Sequence, residues 1–231
     1  DPVATGTFSW STGSSSKSIY VKPLSNYSYT VTVTDANNCS ASDDINVFVN
    51  NLPIALTPND TNICYGNSIM ISAYNDPAYS YSWSPTSGIT DPNKPITIFS
   101  PSTTTTYTLF VKDPQGCTNS DNITITVNNL PDISISPDKQ ICLYDSTDIS
   151  VSSSATIINY QWLPQDGLSS STIKDPKASP TNTTTYKITI TDINGCSNSE
   201  QTVITVNNLP PAYAGKDTSL CAYSKIRLYA S

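Results

Sequence analysis

Six cysteines are the residues of this 231-residue chain with the clearest capacity for covalent chemistry. They occur in two settings: three follow an Ile or Leu at the front of a recurring segment, and three follow a turn that contains Asp. The front cysteines are Cys64, Cys142 and Cys221, and the turn cysteines are Cys39, Cys117 and Cys196. No pair has C-x-x-C spacing and the chain contains no histidine, so the pattern indicates disulfide bonds rather than a zinc site.

Catalytic chemistry has little support in the sequence. Without histidine, the commonest general base and the usual partner of a serine nucleophile are both missing. Paired carboxylates such as Asp43 and Asp44 fall at strand edges, where solvation is expected rather than glycosidase chemistry. The formal net charge of −7 provides no basic stripe for phosphates. We therefore predict a non-enzymatic protein that does not bind nucleic acid.

Aspartate offers the one possible metal site. Acidic residues recur before the front cysteines and at the turns, and oxygen-rich clusters between domains can bind calcium. The candidate ligands are Asp60, Asp113, Asp138 and Asp192. No consecutive D-x-D-x-D loop is present, and aspartate is also a common turn former. The prediction is therefore a protein without a cofactor, with calcium as the alternative.

A pentapeptide, Val-Asn-Asn-Leu-Pro, organises the chain. It begins at Val49, Val127 and Val206, at intervals of 78 and 79 residues, which is typical of an array. Repeats 1 to 4 are predicted to occupy residues 1–50, 52–128, 130–207 and 209–231. Repeat 1 is expected to lack its opening strands, and repeat 4 to consist of its opening only, with Ile226, Leu228 and Ala230 facing inward. Units of this length have marginal cores, which crosslinks or neighbours would support.

Alternating runs within each repeat predict β-strands. The run from Tyr107 to Asp113 places apolar side chains on one face, and a tight turn leads from it into a second such run, as in a hairpin. One tryptophan precedes each hairpin, and a lone tryptophan in a small β domain is usually a core residue. The predicted core residues are Trp10, Trp83, Trp162, Tyr29, Tyr107 and Tyr186. The predicted fold is all-β, with tandem immunoglobulin-like β-sandwich domains arranged end to end.

This topology favours one disulfide pairing. With strands alternating in direction, a front cysteine and a turn cysteine lie at opposite ends of one repeat, about 30 Å apart over ten strand residues. Because a disulfide requires Cα atoms within about 7 Å, a front cysteine is expected to reach the turn of the next repeat. The preferred pair is Cys64–Cys196, while Cys39, Cys117, Cys142 and Cys221 pair with repeats beyond this sequence or stay free. The alternative, which an unusual strand order would allow, is Cys64–Cys117 with Cys142–Cys196.

Several segments of repeat 2 form a motif set. They are Ile63–Ser68, Trp83–Pro85, Ile89–Pro95, Thr103–Tyr107 and Asp113–Cys117. Together they resemble the immunoglobulin-like, PKD-like repeats of giant surface proteins of the Bacteroidota, most of all gliding-motility adhesins of the SprB type. The resemblance implies type IX secretion and display at the cell surface, attached to the outer membrane. Tyr144 and Tyr223 depart from the usual glycine after the front cysteine, which leaves the turn type open.

The resemblance implies a function as a structural segment of a long secreted adhesin filament, a stiff stalk for surface adhesion and gliding motility. The expected partners are a surface polysaccharide or solid surface, other units of the same long chain, and the cell-surface motility machinery. Two alternatives stay open. Tyrosines such as Tyr65 and Tyr79 would suit a spacer or carbohydrate-binding module of a secreted enzyme. The acidic clusters would suit a calcium-stabilised surface-layer or matrix protein.

Overall fold

The computed structural model describes residues 6–228. Residues 1–5 of repeat 1 and 229–231 of repeat 4 are outside this range. Strands β1 to β17 account for all regular structure in residues 6–228, where no helix is present. Correspondingly, no helix suited to crossing a membrane occurs in that range. The all-β fold class is confirmed.

The chain divides into two compact units whose limits cut across the sequence repeats. The first comprises Asp1–Asn59, Met70–Phe99 and Thr106–Ile123. The second comprises Asp60–Ile69, Ser100–Thr105 and Thr124–Ser231. The second unit therefore combines the front segment of repeat 2 with the whole of repeat 3.

Repeat 1 forms an antiparallel sheet in the order β1-β2-β3. Its strands are β1 (Thr7–Trp10), β2 (Tyr27–Thr34) and β3 (Ser40–Val47). Tyr29 is buried, as predicted for the core, but Trp10 is only half-buried. Ile45 is 57% exposed, whereas Ile123, its counterpart in repeat 2, is fully buried. The face of this sheet that carries Ile45 is therefore not covered by a second sheet within residues 6–50.

Repeat 2 contains a four-stranded sheet in the order β4-β9-β8-β6 and a two-stranded sheet formed by β5 and β7. The strands are β4 (Thr61–Cys64), β5 (Ile69–Ser72), β6 (Ser80–Ser84), β7 (Ile96–Phe99), β8 (Thr105–Lys112) and β9 (Thr118–Asn128). Strand β4 runs parallel to β9, with Cys64 opposite Asn128. The other pairing described in the large sheet, β6 with β8, is antiparallel.

Repeat 3 has the same large sheet, in the order β11-β17-β16-β14, beside two small sheets, β10-β13 and β12-β15. The strands are β10 (Ser134–Ile135), β11 (Lys139–Cys142), β12 (Thr147–Asp148), β13 (Val151–Ser152), β14 (Ile157–Leu163), β15 (Lys177–Ala178), β16 (Thr184–Asp192) and β17 (Ser197–Asn207). Strand β11 again runs parallel to the last strand, with Cys142 opposite Asn207. The first Asn of the recurring pentapeptide therefore lies opposite the front cysteine in both repeats.

Each of these two repeats has its core between the sheets, around one tryptophan and one tyrosine. Trp83 and Trp162 are almost completely buried, and each indole N–H donates to a backbone carbonyl eleven residues later, at 2.9 Å. Tyr107 and Tyr186 are fully buried, and each hydroxyl donates at 2.8 Å to a carbonyl twenty residues earlier. Burial of the rings and satisfaction of their polar atoms together explain why these positions recur in the sequence.

Repeat 4 does not form the strand that its apolar alternation predicts within the described residues. No strand lies between residues 208 and 228. Leu220, Ile226 and Leu228 are at least half exposed. Their counterparts Ile63 and Ile71 in repeat 2 are buried, because repeat 2 supplies the opposing strands.

Candidate functional site at the Cys64–Cys196 crosslink

A disulfide joins the last residue of β4 in repeat 2 to the β16–β17 turn of repeat 3. The bonded residues are Cys64 and Cys196, with Cα atoms 5.5 Å apart and a separation of 132 along the chain. Both lie in the second compact unit. This is the pairing that the strand-direction argument favours, because the front of one repeat and the turn of the next lie side by side here.

Cys64 is held in place by the parallel pairing of β4 with β9. Ile63, its neighbour, is buried and anchors the strand from the opposite face. The backbone N–H of Tyr65 donates to the carbonyl of Asn128 at 2.8 Å, which continues the pairing past the cysteine. The carboxylate of Asp60 accepts the N–H of Thr124 at 2.8 Å and fixes the start of the strand. Alternation along β4 therefore directs Cys64 away from the core that holds Ile63.

The turn after the front cysteine has the same backbone in repeats 2, 3 and 4. The residue two positions after the cysteine has a positive φ in each case: 84° at Gly66, 72° at Tyr144 and 69° at Tyr223. The N–H of the following residue donates to the cysteine carbonyl in all three repeats. The turn type left open by the sequence is therefore preserved, with two tyrosines in a left-handed conformation that glycine adopts more readily.

Cys196 is positioned by Asp192, which begins the β16–β17 turn. The backbone N–H groups of Asn194 and Cys196 donate to Asp192 Oδ1 at 2.9 and 2.8 Å, and the Asp192 N–H donates to the Cys196 carbonyl. Gly195 supplies the positive φ of 81° that this tight turn needs. Cys196 is fully buried and Asp192 is 4% exposed. The turn therefore presents its sulfur in a fixed position.

The four aspartates that were candidate calcium ligands each accept a backbone hydrogen bond. Asp60 and Asp138 accept from the strand that runs beside them, at 2.8 Å in both repeats. Asp113 and Asp192 accept within their own turns. Across residues 6–228, no three His, Cys, Asp or Glu side chains come together as a group that could hold a metal ion. In the structure each of these carboxylates therefore anchors backbone N–H groups of its own strand pair or turn.

The other four cysteines are free thiols in the structure. Cys39, Cys142 and Cys221 are exposed, and Cys117 is partly exposed. The alternative pairing of Cys64 with Cys117 and of Cys142 with Cys196 is therefore not formed. Cys117 occupies the same turn position as Cys196, and its N–H is likewise held by an aspartate, Asp113, at 2.8 Å.

Tyr65 and Tyr79, the tyrosines suggested for contact with sugars, differ in their exposure. Tyr65 is 52% exposed and belongs to the second compact unit. Tyr79, which the carbohydrate-binding alternative takes to be exposed, belongs to the first unit and is half-buried. Burial and then the nearby Asp76 carboxylate raise the pKa of its hydroxyl. The carbohydrate-binding alternative stays a prediction.

Two titratable groups elsewhere show how polar contacts support the repeats. The pKa of Asp121 is lowered, first by the backbone N–H of Thr57 and also by the Thr57 hydroxyl, which donate at 2.8 and 2.9 Å. The pKa of Tyr186 is raised, first by burial and then by the Asp166 carboxylate. Asp121 favours the folded state when ionised, and Tyr186 favours it when protonated.

Sequence reasoning missed a set of side-chain to backbone bonds that recur at the repeat interval. Asn119 and Asn198 each donate to the carbonyl of the pentapeptide proline, Pro53 or Pro131, at 2.9 and 3.0 Å. The hydroxyls of Thr104 and Thr183 each accept an N–H of the last strand, from Val127 and Val206. Their spacing of 79 residues is the signal that a search for polar residues repeating in phase would have found.

The strand order, the parallel pairing of β4 with β9 and of β11 with β17, and the tryptophan–tyrosine core of each repeat define a tandem immunoglobulin-like β-sandwich protein. No family model and no curated protein matches the sequence. Solved structures with a similar fold include Sidekick-1 immunoglobulin domains 1–4, with 13% identity, a TM-score of 0.33, and coverage of 78% of this chain and 58% of that one. The insect immune protein hemolin has 16% identity and a TM-score of 0.34, with coverage of 78% of this chain and 56% of that one. The eight N-terminal immunoglobulin domains of the Down syndrome cell adhesion molecule have 14% identity and a TM-score of 0.32, with coverage of 90% of this chain and 37% of that one.

The chain thus spans between about one third and three fifths of the length of these three proteins. At these identities and TM-scores, the neighbours carry no information about ligand or activity. The fold class rests on the sheet order and the cores described above.

Proposed function

We propose that this chain is a structural segment of a secreted cell-surface adhesin, in which the repeats form a load-bearing stalk without catalytic activity. The observation that carries the proposal is the covalent bond from Cys64 at the end of β4 to Cys196 in the β16–β17 turn. It links two successive repeats at a second point besides the peptide chain. A short peptide linker alone would leave some freedom to bend, and a second connection reduces that freedom.

The crosslink also supports an extracellular location. Disulfides persist in oxidising compartments, and small secreted domains use them to supplement marginal cores. The composition does not favour nucleic acid as a partner, because acidic residues exceed basic ones. In this role the stalk requires no cofactor.

The finer assignment rests on the sequence resemblance. We propose an adhesin of the Bacteroidota gliding-motility type, exported by type IX secretion and attached at the outer membrane. Its partners would be a polysaccharide or solid surface, other repeats of the same chain, and the motility machinery. The motif set in repeat 2 supports this assignment, since it combines the front cysteine, the tryptophan strand and the Asp-x-x-Gly-Cys turn.

A repeat-replacement experiment separates a stalk from a ligand-binding module. In cells that produce the protein, residues 52–207 are replaced by two unrelated immunoglobulin-like domains of equal length that are joined by a disulfide. If the repeats serve as a stalk, surface display and adhesion to glass and to polysaccharide-coated slides are retained. A deletion of the same residues serves as the control for length. Normal display with complete loss of adhesion after replacement would show that the repeats themselves bind the surface, and would refute the stalk role.

A further inference from the structure

We infer that the Cys64–Cys196 bond is the load path of the chain: tension passes through it from β4 directly to β17, and the residues between them are protected from stretching. The inference rests on the proposed stalk function and specifies how that stalk bears force. It follows from where the two cysteines lie relative to the strands, because a covalent bond carries tension that would otherwise load hydrogen bonds.

The crosslink closes a covalent loop of chain that contains nearly all the strands of repeats 2 and 3. Cys64 is the final residue of β4, and Cys196 immediately precedes β17. Strands β5 to β16 therefore lie inside the loop, together with Trp83 and Trp162. Only β4 and β17 of these two repeats lie outside it. Tension applied to the chain on either side enters the loop at the two sulfurs and does not stretch the segment between them.

Both ends of the bond are anchored in strand structure. On one side, β4 pairs with β9 over Thr61–Cys64, and the Tyr65 N–H extends the pairing to Asn128. On the other side, β17 is an eleven-residue strand that pairs with both β11 and β16. The short β4 is held by few hydrogen bonds, so without the crosslink it is the element expected to detach first. With the crosslink, detachment of β4 exposes only its own few residues, since the chain beyond Cys64 is bypassed.

The length that the bond protects is large. A separation of 132 residues corresponds to roughly 440–475 Å of fully extended chain, at about 3.3–3.6 Å per residue. The bonded Cα atoms are held at 5.5 Å instead. Unfolding of the segment between the two cysteines therefore adds almost no length to an oxidised chain under tension.

The loop is also longer than the repeat. It spans 132 residues, whereas the pentapeptide recurs after 78 and 79. If successive repeats in an array are crosslinked in the same way, consecutive loops overlap, and every residue lies inside at least one of them. Such an array has a fixed contour length even when individual repeats unfold, which suits a stalk exposed to shear.

Single-molecule force spectroscopy tests the load path. The 231-residue chain is tethered at its two ends and stretched in its oxidised form, after peptide mapping under non-reducing conditions has verified the Cys64–Cys196 bond. It is compared with the same protein in a thiol reductant and with the double variant Cys64→Ala, Cys196→Ala. The matched control is Cys117→Ala with Cys142→Ala, which removes two free thiols from equivalent positions and keeps the bond.

The expected result is that the reduced protein and the Cys64→Ala, Cys196→Ala variant extend by roughly 440–475 Å more than the oxidised protein. The control variant should behave like the oxidised parent. Equal total extension in the oxidised and reduced forms, or mapping that finds Cys64 and Cys196 in other bonds, would overturn the inference. This readout is independent of adhesion. If the oxidised chain resists extension but replacement of the repeats abolishes adhesion, the load path stands and the stalk role is refuted. If the oxidised chain extends as far as the reduced one but the repeats can be replaced without loss of adhesion, the stalk role stands and the load path is refuted.

Discussion

Loss of the Cys64–Cys196 bond should destabilise repeat 3 by an amount that the structure allows us to calculate. While repeat 2 stays folded, Cys64 is fixed opposite Asn128 by the β4–β9 pairing. Unfolding of repeat 3 then releases a tethered loop that runs from Asn128 to Cys196, about 68 residues. The loop-entropy relation assigns about 4 kcal/mol to such a closure. A domain of this size has a total unfolding free energy of about 5–15 kcal/mol, so the bond provides a large share of it.

The measurement is urea unfolding of the oxidised and reduced forms, with hydrogen exchange in β14 and β16 as the probe of repeat 3. With a urea m-value of about 1–2 kcal/mol/M, a loss of 4 kcal/mol lowers the midpoint by about 2–4 M. Exchange in β1 to β3 serves as an internal reference, because these strands lie outside the loop. The variant Cys117→Ala is the control, since Cys117 is a partly exposed free thiol and its replacement should change the midpoint little. A difference below about 1 kcal/mol between oxidised and reduced repeat 3 would refute the loop-closure reasoning.

Four further outcomes are expected. Replacing Tyr144 by Gly should raise the unfolding free energy by about 1 kcal/mol, because the residue is 82% exposed and holds a φ of 72°; Tyr144→Ala, which keeps the left-handed cost, should not stabilise in urea unfolding. Gly167→Ala should destabilise, because the φ is 75° and a Cβ would lie 2.9 Å from the Pro180 Cα; a melting temperature unchanged in calorimetry would contradict this. Burial raises the pKa of Tyr186, so the unfolded chain loses this proton first and stability should fall as pH rises above about 10. Tyr186→Phe should lower the unfolding free energy by about 1 kcal/mol at neutral pH, because the hydrogen bond to the Asp166 carbonyl is lost. Its unfolding free energy should then fall less steeply with pH above about 10 than that of the parent, and an equally steep fall would contradict the assignment. A calcium chelator should leave the melting temperature unchanged, since the candidate carboxylates already accept backbone N–H groups, and a clear drop would support the calcium alternative.

The architecture was largely readable from the sequence because its signals are local. The alternation from Tyr107 to Asp113 depends on side chains of one strand, and the structure shows that strand with Tyr107 and Leu109 fully buried. Front cysteines such as Cys64 and turn cysteines such as Cys196 recur with the repeat, which predicts that they lie at opposite ends of each repeat. Strand direction then decided which ends lie close together, since a disulfide tolerates only a short Cα separation.

Burial at the chain's outer repeats could not be read in the same way. Trp10 and Ile45 have the residue types and spacing of core positions, yet one is half-buried and the other is 57% exposed. A side chain is buried only when an opposing sheet covers it, and that covering depends on residues distant in sequence. Leu228 at the other end shows the same dependence, because its alternation is strand-like and no partner strand lies beside it in the described residues.

The sequence by itself determined the period, the hairpin strands of repeats 1 to 3 and the two cysteine settings, because each depends on residue type and local spacing. Only the tertiary structure decided that the Asp192 carboxylate fixes the turn of Cys196 and that Tyr144 holds a glycine-like backbone. It also decided between the two disulfide pairings that the sequence left open, in favour of Cys64–Cys196. These features depend on directions and distances between segments that are far apart in the chain, which residue order constrains but does not specify.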